Sequence, residues 1–211
     1  MTETPQTSPA VRSAAQVSAL QRRGVRLERT TIVWNTIEAV VAVGSGVAAH
    51  SIALVAFGLD SAIEIFSATV TLWELRGFAD EEREHNATRL IALSLFALAI
   101  YVTVDAVITL ARHAKPDASP PGIAICVAAL VMMPLLALGK RRAGRALANS
   151  TLMADSVETL LCAAFSATAL AGVGLNALFG WRWADPVAAL GLAFLAVREG
   201  REAWVGEAAT D

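Results

Sequence analysis

Long apolar runs separated by short charged clusters dominate the chain. Charged residues gather before Arg29, at 76–89, at 112–117, at 140–145 and near the C-terminus. The six stretches between them, about 30–48, 51–75, 88–111, 121–139, 147–176 and 184–204, are each long enough to cross a hydrocarbon core as a helix. The pattern predicts an all-α membrane protein with six transmembrane helices. It divides the chain into a basic, partly disordered cytoplasmic N-terminal tail (1–29), a six-helix transmembrane domain (30–204) and a short cytoplasmic tail (205–211).

Composition agrees with a membrane setting, since apolar residues make up 55% of the chain and charged residues only 17%, unlike the mix of a soluble domain. Residues 1–29 are polar and carry Arg12, Arg22, Arg23, Arg26 and Arg29, so no cleavable signal peptide is expected. From about Val11 to Arg29 this segment reads equally well as a basic helix on anionic headgroups or as a solvated tail.

With six spans, 14 of the 17 Lys and Arg residues fall on one side, which predicts cytoplasmic termini in a bacterial inner or plasma membrane. In this reading Lys140-Arg141-Arg142 is only a topological signal. Topology thus accounts for the basic residues, and a net charge of −2 gives no reason to expect nucleic acid as a partner. The mixed-charge stretch Arg76 to Arg89, with His85 and four acidic residues, reads as a solvated loop.

The candidate chemistry lies inside the apolar runs. Asp60 and Glu64 are one turn apart on one face of the second span. The pattern returns in the fifth span, where Glu158 and Cys162 have the same spacing and Asp155 adjoins their face. Counted from the helix ends, Asp60 and Glu158 lie at similar depth on antiparallel helices. Ionised carboxylates there are costly unless paired, hydrated or bound to a cation. Two readings stay open: a four-donor metal cage, or an interhelical hydrogen-bond network.

Glu38 sits about eight residues, or roughly 12 Å, into the first span. It reads either as a structural partner of Asn35 or as a gate or proton carrier for the site. Asp105, near the outer end of the third span, is a candidate vestibule or dimer-contact residue. The fourth span, with Pro134 near its end, reads as a packing helix. His50 reads as interfacial, Cys126 as packing, and Asp185-Pro186 as the start of the sixth helix.

Ser51-Ile52-Ala53-Leu54 leading to Asp60 and Glu64, the pair Glu158 and Cys162, and Trp183-Ala184-Asp185-Pro186 together resemble the transmembrane domain of the cation diffusion facilitator family. The resemblance covers about residues 30–204. Trp34 to Glu38 and Phe57-Gly58-Leu59-Asp60-Ser61 further resemble its membrane-only "cation transporter" branch. It implies a homodimeric antiporter in the lipid bilayer that exports a divalent metal ion in exchange for protons, and not an enzyme. The chain departs from the family in lacking a histidine ligand and in placing Cys162 where an aspartate is usual, and no cytoplasmic metal-sensing domain is expected.

The expected metal ligands are Asp60, Glu64, Glu158 and Cys162, with Asn35, Glu38, Asp105 and Asp155 as outer partners, gates or proton carriers. No resident cofactor is expected. The soft sulfur of Cys162 favours zinc (Zn2+) or cadmium (Cd2+) as the transported ion, while three carboxylates suit ferrous iron (Fe2+) or manganese (Mn2+). The rival expectation is a membrane scaffold or metal-sensing subunit without transport.

Overall fold

A computed structural model describes residues 14–76, 81–112 and 117–208. Six helices follow one another: α1 (Ala14–Ala49), α2 (Ile52–Leu75), α3 (Glu81–Ala111), α4 (Pro120–Leu147), α5 (Ser150–Phe179) and α6 (Ala184–Ala208). Five of them, α1 to α5, are long and apolar enough to cross a membrane. The sixth falls short because Arg198, Glu199, Arg201 and Glu202 crowd its second half.

Most helices run beyond the apolar stretches. The largest difference is at the start: α1 begins at Ala14 rather than near residue 30, and it buries Gly24 and Glu28 within the bundle. The stretch expected to be a loop after Arg76 is helical from Glu81. Residues 77–80 and the acidic side chains from Glu81 to Glu84, with His85, lie outside the described residues, as do residues 1–13.

The burial pattern of α1 is inverted relative to a soluble helix. Its buried stripe runs Gly24, Glu28, Thr31, Asn35, Glu38, Ala42, Gly46, Ala49, a spacing of three and four residues composed of polar and small side chains. Val33 and Val40, on the other side, are 61% and 70% exposed. A helix turns its polar face inward and its apolar face outward when the surroundings are hydrocarbon.

The centre of the bundle is α2, which packs against α1, α3, α5 and α6. About 61% of its apolar window is buried, against 28% for α1 and α3. Close approach of α1 and α2 depends on two glycines. A Cβ on Gly58 would lie 2.8 Å from the backbone nitrogen of Val43, and one on Gly46 would lie 2.8 Å from that of Val55. The connection is His50 alone, in the left-handed region at φ 54°, followed by Ser51.

The sixth helix starts where Asp185-Pro186 predicts, at Ala184, but the Asp185 side chain does not have the expected capping role. Its carboxylate reaches the N-terminus of α2, accepting from the hydroxyl of Ser51 and from the backbone N–H of Ile52 at 3.0 Å. The reason is geometric: α2 and α6 begin at the same end of the bundle, and the first N–H groups of α2 need an acceptor. Asp185→Ala is expected to lower stability by about 2 kcal/mol, since charged acceptors of buried donors contribute on that order. Thermal unfolding in detergent reads this as a fall in Tm.

At the opposite end, Asn149 caps α5 by accepting from Leu152 N–H at 2.6 Å and donates to Glu74 of α2 at 2.9 Å. These two clamps make α2 parallel to α6 and antiparallel to α5. They thereby fix which turns of the three helices lie at one level.

Candidate functional site

The facing surfaces of α2 and α5, with α3 and α6, border a small cavity of about 20 Å³. It is enough for one water or an ion of similar size. Asp60, Glu64 and Ser67 line it from α2, Glu158 and Cys162 from α5, and Glu199 from α6. All four residues expected as ligands therefore share one cavity, because the i, i+4 spacing puts each pair on one helix face and the antiparallel register brings the faces together.

The tight tetrahedral cage that the spacing predicts is not formed. Among the described residues, no three His, Cys, Asp and Glu side chains converge closely enough to hold a metal ion. Two of the four are drawn to other partners: the Cys162 thiol lies 3.7 Å from Oε1 of Glu38, to which it donates, and Glu158 accepts from the hydroxyl of Ser67. Glu64 is 6% exposed, and neither of its carboxylate oxygens receives a hydrogen bond at bonding geometry. Cys162 and Thr159 are polar neighbours, and the Lys140 ammonium and Asp155 carboxylate act on it electrostatically.

Glu38 on α1 is a fully buried acceptor beside the cavity. The Trp34 indole N–H donates to its Oε2 at 2.7 Å, and the Ser61 hydroxyl donates to its Oε1 at 2.6 Å. The expected pairing with Asn35 is absent: the Asn35 amide is buried with neither polar atom hydrogen-bonded. Trp34 takes that place because it lies one turn from Glu38, at the i, i+4 spacing that brings two helical side chains together.

Lys140 needs the largest revision. Far from being a topological signal at the surface, it is fully buried. Its ammonium is bonded to Asp155, lies 3.1 Å from Oε2 of Glu28, and donates to the Thr159 hydroxyl at 3.0 Å. Asp155 thus belongs to an ion triad with α1 and α4 rather than to the cavity lining. Ser67 connects the two, since its hydroxyl sits between Asp155, at 3.3 Å, and Glu158. Asp105, half-buried on α3, does not line the cavity.

Three residues of this region were not singled out from the sequence. Glu28 had a signal, for it continues the three-four spacing of Thr31, Asn35 and Glu38 toward the N-terminus. Lys140 had a similar signal in the three-four spacing of Cys126, Ala129, Met133 and Leu136, but beside two arginines it looks like any basic cluster. Glu199 lay in the charged end of α6 and read as part of the cytoplasmic boundary.

A family model for the cation efflux transmembrane domain matches residues 30–205, nearly the whole bundle. The chain belongs to the cation efflux family. Members of the cation efflux family are transporters, and its apolar helices make this member a multi-pass integral membrane protein. It is also similar to an uncharacterized transporter, sll1263, of Synechocystis sp., at 29% identity over 154 residues, 68% of this chain and 50% of that relative. The chain therefore spans about half the length of the curated relative it matches.

Proposed function

We propose that this cation efflux protein is a metal/proton antiporter that exports a divalent transition metal, zinc first among the candidates, through the cavity between α2 and α5. The observation that carries the reading is the buried convergence of Asp60, Glu64, Glu158 and Cys162 on one cavity, with Glu64 lacking any hydrogen-bond donor. Carboxylates in such surroundings demand a compensating cation or protonation. A dication and protons therefore compete for the same oxygens, and that competition is the physical basis of exchange. Alternating access would open the cavity to either side in turn, with both termini in the cytoplasm and two copies forming a homodimer.

The test is uptake into proteoliposomes loaded with a zinc-sensitive dye, with and without an imposed pH gradient. Wild type is expected to give a signal that follows the gradient, and Asp60→Asn and Glu158→Gln to fall to the level of protein-free vesicles. Uptake that is unchanged in both folded variants would remove the cavity from the pathway.

The second reading is a scaffold or metal-sensing subunit. It is favoured by one observation: Glu38, Ser61 and Cys162 already join α1, α2 and α5 by hydrogen bonds without any ion. Isothermal titration separates off the scaffold, which would take up no stoichiometric metal; a metal-sensing subunit would bind metal yet give no uptake into proteoliposomes.

A further inference from the structure

The buried stripe of α6 runs Ala189, Leu192, Ala193, Ala196 and then Gly200, and Glu199 stands beside its end, lining the cavity. Its position is fixed by packing. A Cβ on Gly200 would lie 3.3 Å from the Ala92 carbonyl and 3.1 Å from the Phe96 ring, so α6 lies hard against α3 at this turn. Rotation that would carry Glu199 out of the cavity is blocked.

Register places it at the right depth. Asp185 is bonded to the first N–H of α2, so the parallel helices α2 and α6 start level. At 1.5 Å per residue, Glu64 is roughly 18 Å from that level and Glu199 roughly 21 Å.

Among the described residues, the charges that act most strongly on Glu199 are the carboxylates of Asp60, Glu158, Glu64 and Glu202. The neighbouring cation, Arg198, faces away: it is 62% exposed and pairs with Glu202 at 2.8 Å. Glu199 is thus a carboxylate directed at other carboxylates. Beside it Glu64 is 94% buried and accepts no hydrogen bond on either oxygen. The Lys140 ammonium acts on it from α4 but is engaged by Asp155 and Glu28 and does not line the cavity, so the carboxylates that do line it have no cation among them.

We propose that Glu199 is a further cation ligand of this cavity, contributed by the sixth helix, and the one that receives the ion at the rim before Asp60 and Glu64 take it deeper. Asp60 and Glu64 are each 6% exposed, whereas Glu158 and Glu199 are only partly buried, so the latter two form the outer part of the cavity. The proposal rests on reading the cavity as the cation site.

Zinc transport in proteoliposomes and Zn2+ and Mn2+ titration of the purified full chain test it, comparing wild type, Glu199→Gln, Glu199→Asp and, as a control, Glu202→Gln. Glu199→Gln is expected to raise the KM and the Kd about tenfold, the usual scale for a supporting ligand, with the maximal rate changed much less. Glu199→Asp should recover most of the affinity, and Glu202→Gln should match wild type. Equal KM and Kd in wild type and Glu199→Gln overturns the proposal while leaving the antiporter intact. A wild type that binds neither ion overturns both. An aspartate variant as weak as the glutamine variant, with unaltered elution and Tm, also counts against a ligand role.

Discussion

Lys140→Met is expected to destabilise the protein by about 3–5 kcal/mol, the scale for removing one partner of a buried ion pair. Lys140 and Glu28 are fully buried and Asp155 is 2% exposed, so no solvent can screen what is left. Methionine fills nearly the same volume and leaves packing intact. The loss is therefore electrostatic: two carboxylates, from α1 and α5, would face each other without the ammonium that now lies between them. Against a total stability of roughly 5–15 kcal/mol, the variant should elute aggregated or unfold at much lower temperature in detergent. Neutralising all three positions, as Glu28→Gln with Lys140→Met and Asp155→Asn, should restore most of the loss, because an uncharged buried cluster carries no unpaired ion. A single Lys140→Met with the thermal stability of wild type would show that the triad does not hold α1, α4 and α5 together.

Glu64→Gln is expected to do the opposite, raising stability while ending transport. Both carboxylate oxygens of Glu64 are buried without hydrogen-bond donors, an arrangement that costs folding free energy whether the group is charged or neutral. An amide of the same shape removes the charge and adds donors toward the neighbouring carboxylates of Asp60 and Glu158. A gain of about 2 kcal/mol, or roughly 4–8 °C in Tm for a chain of this size, is expected.

Glu38 supplies the contrast. It accepts from Trp34, Ser61 and Cys162; in Glu38→Ala the Ser61 hydroxyl keeps the Phe57 carbonyl, but the Trp34 indole and the Cys162 thiol lose this acceptor, and stability should fall by about 2 kcal/mol. Two carboxylates in neighbouring helices thus predict shifts of opposite sign, which thermal unfolding of the two variants compares directly. A fall in Tm for Glu64→Gln would mean that its carboxylate is held by contacts and is not poised for a cation.

The difference between Glu64 and Glu38 also shows why stability and function part company here. Glu38, with both carboxylate oxygens hydrogen-bonded, joins three helices. Glu64 holds a costly carboxylate in place, and under the antiporter reading that cost is what makes the site release protons to take up metal, and the reverse.

How much of this is legible in the sequence depends on whether the cause is local or lies between helices. The spans are legible because backbone hydrogen bonding in lipid leaves a helix as the only solution for a long apolar run. The sharing of a face by Asp60 and Glu64, and by Glu158 and Cys162, is equally legible, since it follows from the helical repeat alone. The inward polar stripe of α1 is written in the same repeat, although the charged segment before Arg29 obscured its first turn.

The rest was decided by tertiary structure. The three-four spacing of Cys126, Ala129, Met133 and Leu136 extends to Lys140, but whether that face of α4 turns to lipid or into the bundle depends on its rotation against α1 and α5. Asp185 looks like the cap of its own helix until α2 is placed beside it, and Glu199 looks like a boundary charge until that same contact sets the register of α6. The four expected ligands meet in one cavity because of local periodicity. Their failure to close into a cage has a longer-range cause: Ser67 and Glu38, on helices brought alongside by packing, offer Glu158 and Cys162 nearer partners. Periodicity acts within one helix and can be read from the order of residues, whereas the partners of a buried charge are chosen by the angles at which separate helices pack.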